Sequence, residues 1–285
     1  FQALTEQPVI AVVPGKPERR VAVLPTRRRP GETFALKVKG EDRWGNPSDQ
    51  CAETFRLEAT GPISGLPETI TLTPGAFALE VPGLSVAEPG TVAILLKDET
   101  GALVFETNPL IVEDTELVHF WADLHGQSEE TIGTGSAEAY FAFARDRAFV
   151  DACGHQGNDF QISDAFWDEL NRITGRFDEP GRFVALPGYE WSGNTSLGGA
   201  RNVYFPPEGR TIRRSSHALI EGSDTDGTDC LTAKDLFAAF DREEETDVVC
   251  FAHCGGRYAD IGYAHDGRFE RSVEVHSSWG TFEWL

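Results

Sequence analysis

The chain contains no methionine, and no histidine precedes position 119. Starting at Phe1, it reads as a processed or partial chain. Its five cysteines, Cys51, Cys153, Cys230, Cys250 and Cys254, are odd in number and irregular in spacing. That excludes a disulfide framework and favours a reducing, cytoplasmic compartment. Positive charge is also scarce. Lys and Arg total 25 against 46 Asp and Glu, a net charge of −21. Such a balance argues against nucleic acid or an anionic membrane as partner and leaves a small molecule. No apolar run reaches membrane-spanning length, and no signal-peptide pattern opens the chain.

At 285 residues two domains are expected. The first, residues 1–113, reads as all β. Short runs of β formers at 9–13, 21–24, 34–38, 55–59, 69–72, 77–81, 92–96, 103–105 and 110–112 are separated by Gly, Pro, Asp and Asn. Residues 35–39 alternate apolar and polar, as in a half-buried strand. Asp42-Arg43-Trp44-Gly45-Asn46-Pro47 reads as a turn in which Gly45 takes positive φ, and it resembles a turn of bacterial immunoglobulin-like modules. An immunoglobulin-like β-sandwich is therefore expected here. Arg27, Arg28 and Arg29 read as a solvated loop.

Residues 114–285 form the second domain and hold every histidine. Several apolar runs there end in metal-binding residue types. One leads into Asp123, His125 and Gln127, another into Glu190, a third into His253 and a fourth into Glu274 and His276. Stiff, buried strands that deliver ligands from one end are what a barrel-type metalloenzyme requires. Helices are expected over 136–148, from Ser163 onward and over 231–242, with Ser136, Ser163 and Thr232 as N-caps. The resulting strand–helix alternation predicts parallel βα units. Cys250 and Cys254 flank His253, and they read as a strand thiol and a loop thiol rather than a zinc pair. Arg213 and Arg214, beside Ser215, Ser216 and His217, read equally as an oxyanion site or as surface ion pairs.

Five stretches, in order, carry a resemblance: Trp121-Ala122-Asp123-Leu124-His125-Gly126-Gln127-Ser128, His155-Gln156-Gly157-Asn158-Asp159-Phe160, Pro187-Gly188-Tyr189-Glu190-Trp191, Ala252-His253 and Glu274-Val275-His276. Together they resemble the PHP metallohydrolases, named for polymerase and histidinol phosphatase, in a branch that carries an N-terminal β domain. The resemblance implies a distorted (β/α)7 barrel, here truncated at its C-terminal end, with a multinuclear metal centre that hydrolyses phosphate esters. Three departures reduce the expected centre to one or two ions. Gln127 stands where the superfamily has a second histidine, the His155–Asp159 stretch stands where it has Thr-Asp-His, and the closing Asp-x-His motif does not occur.

On this reading the function is a metal-dependent hydrolase, most simply a phosphoesterase acting on an anionic small molecule. Hydrolysis or elimination at a non-phosphate bond is one alternative, and a degenerate barrel serving as a binding or scaffold protein is another. The expected ligands of a divalent zinc, manganese or iron ion are Asp123, His125, His155, Asp159, Glu190, His253 and His276. Glu190 would bridge, while Asp123, His155 and Asp159 are either ligands or groups that orient the imidazoles. For Asp123 a turn role is an equal alternative. Arg201, Arg214 and Arg257 would neutralise charge on the substrate, and His217 would protonate the leaving group. Glu274 alternates with Val273 and Val275, and a carboxylate facing the interior there would need a partner.

Overall fold

A computed structural model describes residues 13–215, 228–243 and 247–282. The chain divides into two compact units, Phe1–Phe120 and Trp121–Leu285.

The first unit is built of strands. Thr33–Glu41 pairs antiparallel with Arg19–Val23, Pro47–Ser48 and Leu79–Ser85. A second sheet runs in the order Leu103–Glu106, Ile94–Lys97, Glu53–Ala59, Thr69–Leu72, and a third joins Arg27–Arg28, Leu110–Val112 and Gly90–Val92. Alternation decides which face is buried: Phe34, Leu36 and Val38 point into one core shared with Phe55, Leu57, Ile94 and Leu96. The 42–47 turn forms as its residues dictate. Asp42 accepts the backbone N–H groups of Trp44 and Asn46, and Gly45 has φ +87°. Arg27 and Arg28 are not a loop. They form a short strand parallel to Leu110–Val112, and Arg29 donates to the carbonyls of Thr115 and Glu116.

The second unit opens with the expected βαβαβ run. Ala122–Gly126, Ala152–His155 and Val184–Leu186 form a parallel sheet. Helix α1 (Ala137–Phe143), prolonged by a turn of π-helix at Ala144–Ala148, makes the first crossover, and α2 (Asp164–Phe177) makes the second. Ser136 and Ser163 cap them by accepting N–H bonds from Ala139 and Phe166. The first strand lies later than the apolar run at 118–121 implies. It is the motif itself, and Phe120 and Trp121 are exposed.

From here the chain departs from a barrel. Pro187 has no N–H to donate, and it separates Val184–Leu186 from Gly188–Trp191, which starts a different sheet. A parallel return would need a crossover of about a dozen residues. Instead, residues 192–200 hold a single 3₁₀ turn, Thr195–Leu197, and then reverse at Gly198 and Gly199, whose φ values are +112° and +71°. A Cβ on Gly199 would lie 2.0 Å from the carbonyl oxygen of Tyr258, so only glycine fits. Arg201–Tyr204 therefore comes back antiparallel, followed by antiparallel Val249–Ala252 and parallel Glu270–Val273. Helix α3 (Ala233–Arg242), closed by a Thr232–Asp235 capping box, completes the three α-helices among the described residues. No sheet closes on itself among them, so the (β/α)7 barrel expected for residues 114–285 does not form. Among the described residues the second unit has a three-stranded parallel sheet, a four-stranded mixed sheet and a small hairpin of His276–Ser277 with Gly280–Thr281. Tyr189, Trp191 and Val203, on one face of the mixed sheet, share a core with Leu170 and Trp167 of α2 and Leu236 and Phe240 of α3. The opposite face of that sheet carries the chemistry. The described helices include none long and apolar enough to cross a membrane.

Candidate metal centre

Strand register gathers the site. Ala252 pairs with Val273 in the parallel part of the mixed sheet, so His253 and Glu274 follow side by side at the C-terminal ends of two strands. The backbone N–H of Glu274 donates to the Ala252 carbonyl and keeps the two in step. Glu190 lies within Gly188–Trp191, on the face opposite Tyr189 and Trp191. The fourth member, His125, comes from the other sheet, where the pairing of Ala122–Gly126 with Ala152–His155 is irregular between Asp123 and Gly126. Strand C-terminal ends are the usual ligand sites of parallel sheets.

The two imidazoles lie edge to face, 4.8 Å apart between centroids. His125, His253 and Glu274 offer ligand atoms within 4.8 Å of one another. The distances assign different work to the two carboxylates. Glu274 hydrogen-bonds the Nδ1 atoms of both rings, at 2.5 Å to His125 and closely to His253. Those contacts leave no room for an ion between them. On the far side of the rings Nε2 of His125 is 3.5 Å from Glu190 Oε2, and Nε2 of His253 is 3.8 Å from Glu190 Oε1. Those separations exceed a good hydrogen bond. They suit atoms bound to one shared ion, since ligands ~2.0–2.1 Å from a tetrahedral centre stand roughly 3.3–3.5 Å apart. The donor set therefore fits a divalent ion held by His125 Nε2, His253 Nε2 and Glu190, with Glu274 taking the Nδ1 protons and fixing both tautomers.

Electrostatics agree. Burial disfavours a charged His125, but Glu190 and Glu274 outweigh it and push its pKa up to about 9. Burial opposes charge on Glu274 too, yet the hydrogen bonds to His125 and His253 hold its pKa at about 2.

A pocket of about 180 Å³ opens over this cluster. Gln127, Ile132, Asn158, Phe160, Arg257 and Trp279 are among its walls. Arg257 is held rigidly, donating to the Ser192 carbonyl at 2.6 Å and lying 5.3 Å over the Phe160 ring. A larger open groove, about 1100 Å³, lies on the first unit. It is walled by side chains paired among themselves, such as Arg20 with Glu53, and by no histidine.

Of the residues singled out from sequence, His125, Glu190, His253 and Arg257 come together here. The others serve elsewhere. Asp123 is exposed and accepts the backbone N–H of His125, a turn role. Both ring nitrogens of buried His155 are engaged: Nδ1 accepts the Gly157 N–H, so Nε2 carries the proton toward Ser128 Oγ at 2.8 Å. Burial pushes its pKa down to about 4, which keeps it neutral. Asp159 is fully buried and accepts from the backbone N–H groups of Phe160, Ser192 and Ser215 and from the Ser215 hydroxyl. It ties three loops together. His276 is exposed in a tight hairpin opposite Thr281, because the strand ends at Val273 and the chain turns before reaching it.

Arg201 is wholly buried, paired with Glu270 at 2.5 Å and donating to the carbonyls of Gly198, Gly199, Ala200 and Ala264. Arg214, also buried, donates to the Ile162 carbonyl and to Asp164. Neither arginine is placed to bind substrate. His217 lies outside the described residues. Glu274, part of the Glu274-Val275-His276 stretch, was not among the expected ligands. Its signal was the alternation with Val273 and Val275, which marked a carboxylate in need of a partner.

Comparisons with known proteins place the chain among relatives. An uncharacterised protein of Chlamydia pneumoniae is 25% identical over 256 residues, covering 88% of this chain and 39% of that protein. An uncharacterised protein of Chlamydia muridarum is 23% identical over 258 residues, with the same coverage of 88% and 39%. The chain thus spans 39% of the length of these curated relatives. Among solved structures, the superoxide reductase (neelaredoxin) from Ignicoccus hospitalis is 14% identical over 34% of this chain and 82% of its own, at a TM-score of 0.23. That likeness carries no argument about fold or chemistry. The model of the family described as "Protein of unknown function (DUF3604)" matches residues 102–262. With more than half its length matched, the chain belongs to the DUF3604 family.

Proposed function

We propose that this chain is a metal-dependent hydrolase, most simply a phosphoesterase. The observation that carries the reading is the pair of imidazoles locked by Glu274 on one side and facing Glu190 on the other at ligand–ligand spacing. Three protein ligands and an open pocket are the pattern of catalytic rather than structural zinc-type sites. A bound divalent ion would supply a Lewis acid and lower the pKa of a water it coordinates. The chain's own groups would do the rest. Arg257, fixed by Ser192 and Phe160, would offer positive charge to an anionic substrate. Gln127 accepts the Thr131 hydroxyl on its carbonyl oxygen, which turns its amide N–H₂ into a donor for the same substrate. Glu274 would hold the imidazoles against rotation through the reaction. The order of motifs that resembles the PHP metallohydrolases supports this chemistry, without their barrel.

The test is elemental analysis of the purified chain after incubation with Zn²⁺, Mn²⁺ or Fe²⁺, followed by assays on p-nitrophenyl phosphate and p-nitrophenyl acetate. About one equivalent of metal is expected, with phosphate-ester hydrolysis that chelation abolishes and metal restores. Retention of no metal would overturn the hydrolase reading. Metal-dependent cleavage of the acetate alone would overturn the phosphate part, and bound metal without hydrolysis would leave a binding module.

Metal uptake is expected to depend on pH with a definite sign. His125 is protonated in the free chain up to about pH 9, so an ion must displace that proton. Affinity should rise by about tenfold per pH unit between pH 7 and 9 and level off above. The same raised pKa means that the contact of protonated His125 with the carboxylates stabilises the metal-free fold fully below the unfolded-state pKa near 6.5 and fades as pH passes 9. Calorimetry in buffers of different ionisation enthalpy would count the released proton, about one per ion at pH 7.

A further inference from the structure

Asn202 lies next to Glu190 in the antiparallel ladder, so the two side chains leave the same face of the sheet. That is also the face of His253, two residues beyond Phe251, which pairs with Asn202 on its other side. Asn202 is 1% exposed, yet its Oδ1 has no hydrogen-bond partner among the described residues. A buried carbonyl oxygen left unpaired keeps the full penalty of its desolvation. Such an atom in a well-packed sheet calls for a partner that the described residues do not supply. The three strands around it have their backbone ladders intact, and the orphan stands beside the one carboxylate whose oxygens face both Nε2 atoms.

We infer that Asn202 belongs to the cation's coordination shell, its Oδ1 serving as a neutral oxygen ligand beside Glu190. This rests on the metal-centre reading above and deepens it. The donor set becomes two imidazole nitrogens, one carboxylate and one amide oxygen, with room for water or substrate. Added oxygen donors move preference toward the harder ions, so manganese or iron(II) is favoured over zinc more than two histidines and a glutamate alone would imply.

The experiment measures Mn²⁺ and Zn²⁺ affinity by chelator competition, and the visible spectrum of the Co²⁺-loaded chain, for the parent, Asn202→Leu and Asn202→Asp. Asn202→Leu is nearly isosteric and removes only the polar end. The expected result is Mn²⁺ affinity weakened about tenfold or more, a smaller loss for Zn²⁺ and a changed Co²⁺ spectrum. Asn202→Asp, which adds charge to the same oxygen, should bind Mn²⁺ more tightly than the parent. Parent-like affinities and spectrum in Asn202→Leu would overturn the inference while the metal centre stood. Should Asn202→Leu fail to fold, Asn202→Asp decides alone, and an affinity equal to or below the parent's overturns the inference. A parent chain that retains no metal would overturn both readings together.

Discussion

Glu190→Gln is expected to strip the chain of its ion and abolish hydrolysis, while Glu274→Gln is expected to weaken metal binding without removing it. The contrast follows from geometry. Glu190 faces the two Nε2 atoms at 3.5 and 3.8 Å, the side on which an ion fits. An amide there offers a single weak donor where a carboxylate gives charge and two oxygens. Glu274 faces the two Nδ1 atoms in hydrogen-bond contact. Groups that orient a metal-bound imidazole in this way typically contribute about 10–100-fold in affinity or activity. Equilibrium dialysis of both variants against the parent checks the assignment. If Glu274→Gln lost all metal and Glu190→Gln retained it, the roles given to the two carboxylates would be reversed and the ion would sit on the Nδ1 side. Neither variant should change the fold greatly, because Glu190 lines the pocket and neither side chain belongs to the apolar core.

Arg201→Met should cost about 3–5 kcal/mol of stability, because it leaves buried Glu270 with exposed His265 as its remaining described ion-pair partner. The Arg201 Nε to Glu270 Oε1 contact is a close ion pair rather than an aligned hydrogen bond, and both side chains are inaccessible to solvent. Arg201 also gathers carbonyls from the Gly198–Ala200 turn and from Ala264. Its loss therefore frees acceptors at the reversal that makes the mixed sheet antiparallel. On unfolding by heat the second unit should melt about 6–20 °C earlier. The double variant Arg201→Met/Glu270→Leu should recover much of the loss, since apolar replacement of a whole buried pair is often close to neutral. A single variant within about 1 kcal/mol of the parent would mean that the pair is only a bystander.

Local structure was legible where a residue's own chemistry decides the outcome. Gly45 and Asp42 made a turn, Ser136, Ser163 and Thr232 capped helices, and the alternation around Leu36 and Val38 placed a strand. The site was legible in part for the same reason: His125, Glu190 and His253 each stand at or near a strand end. Connectivity was not legible. Two βα crossovers imply a third, and nothing in the apolar pattern says that the chain will reverse at Gly198 and Gly199. That decision rests on a close approach to the Tyr258 backbone, which exists only in the folded molecule. Arg201 and Arg214 illustrate a second limit. Arginine beside a candidate site reads as an anion binder, and only burial with Glu270 or the Ile162 carbonyl reveals a structural clamp. His276 marks a third, since a motif residue loses its place when the strand that should carry it stops at Val273.

The break at Pro187 separates the three-stranded sheet that holds His125 from the four-stranded sheet that holds Glu190, His253 and Glu274. An ion bound between them would act as a rivet through two plates joined by a backbone bridge of Asn158 with Glu190 rather than by a full ladder. Its free energy of binding would then be spent partly on holding the plates in register. Free ion at about a hundred times its dissociation constant would add roughly 2.7 kcal/mol to the stability of the assembled pair. Metal supply would thus govern how long the second unit persists as well as whether it is active, and scarcity of the ion would be felt first as a looser molecule.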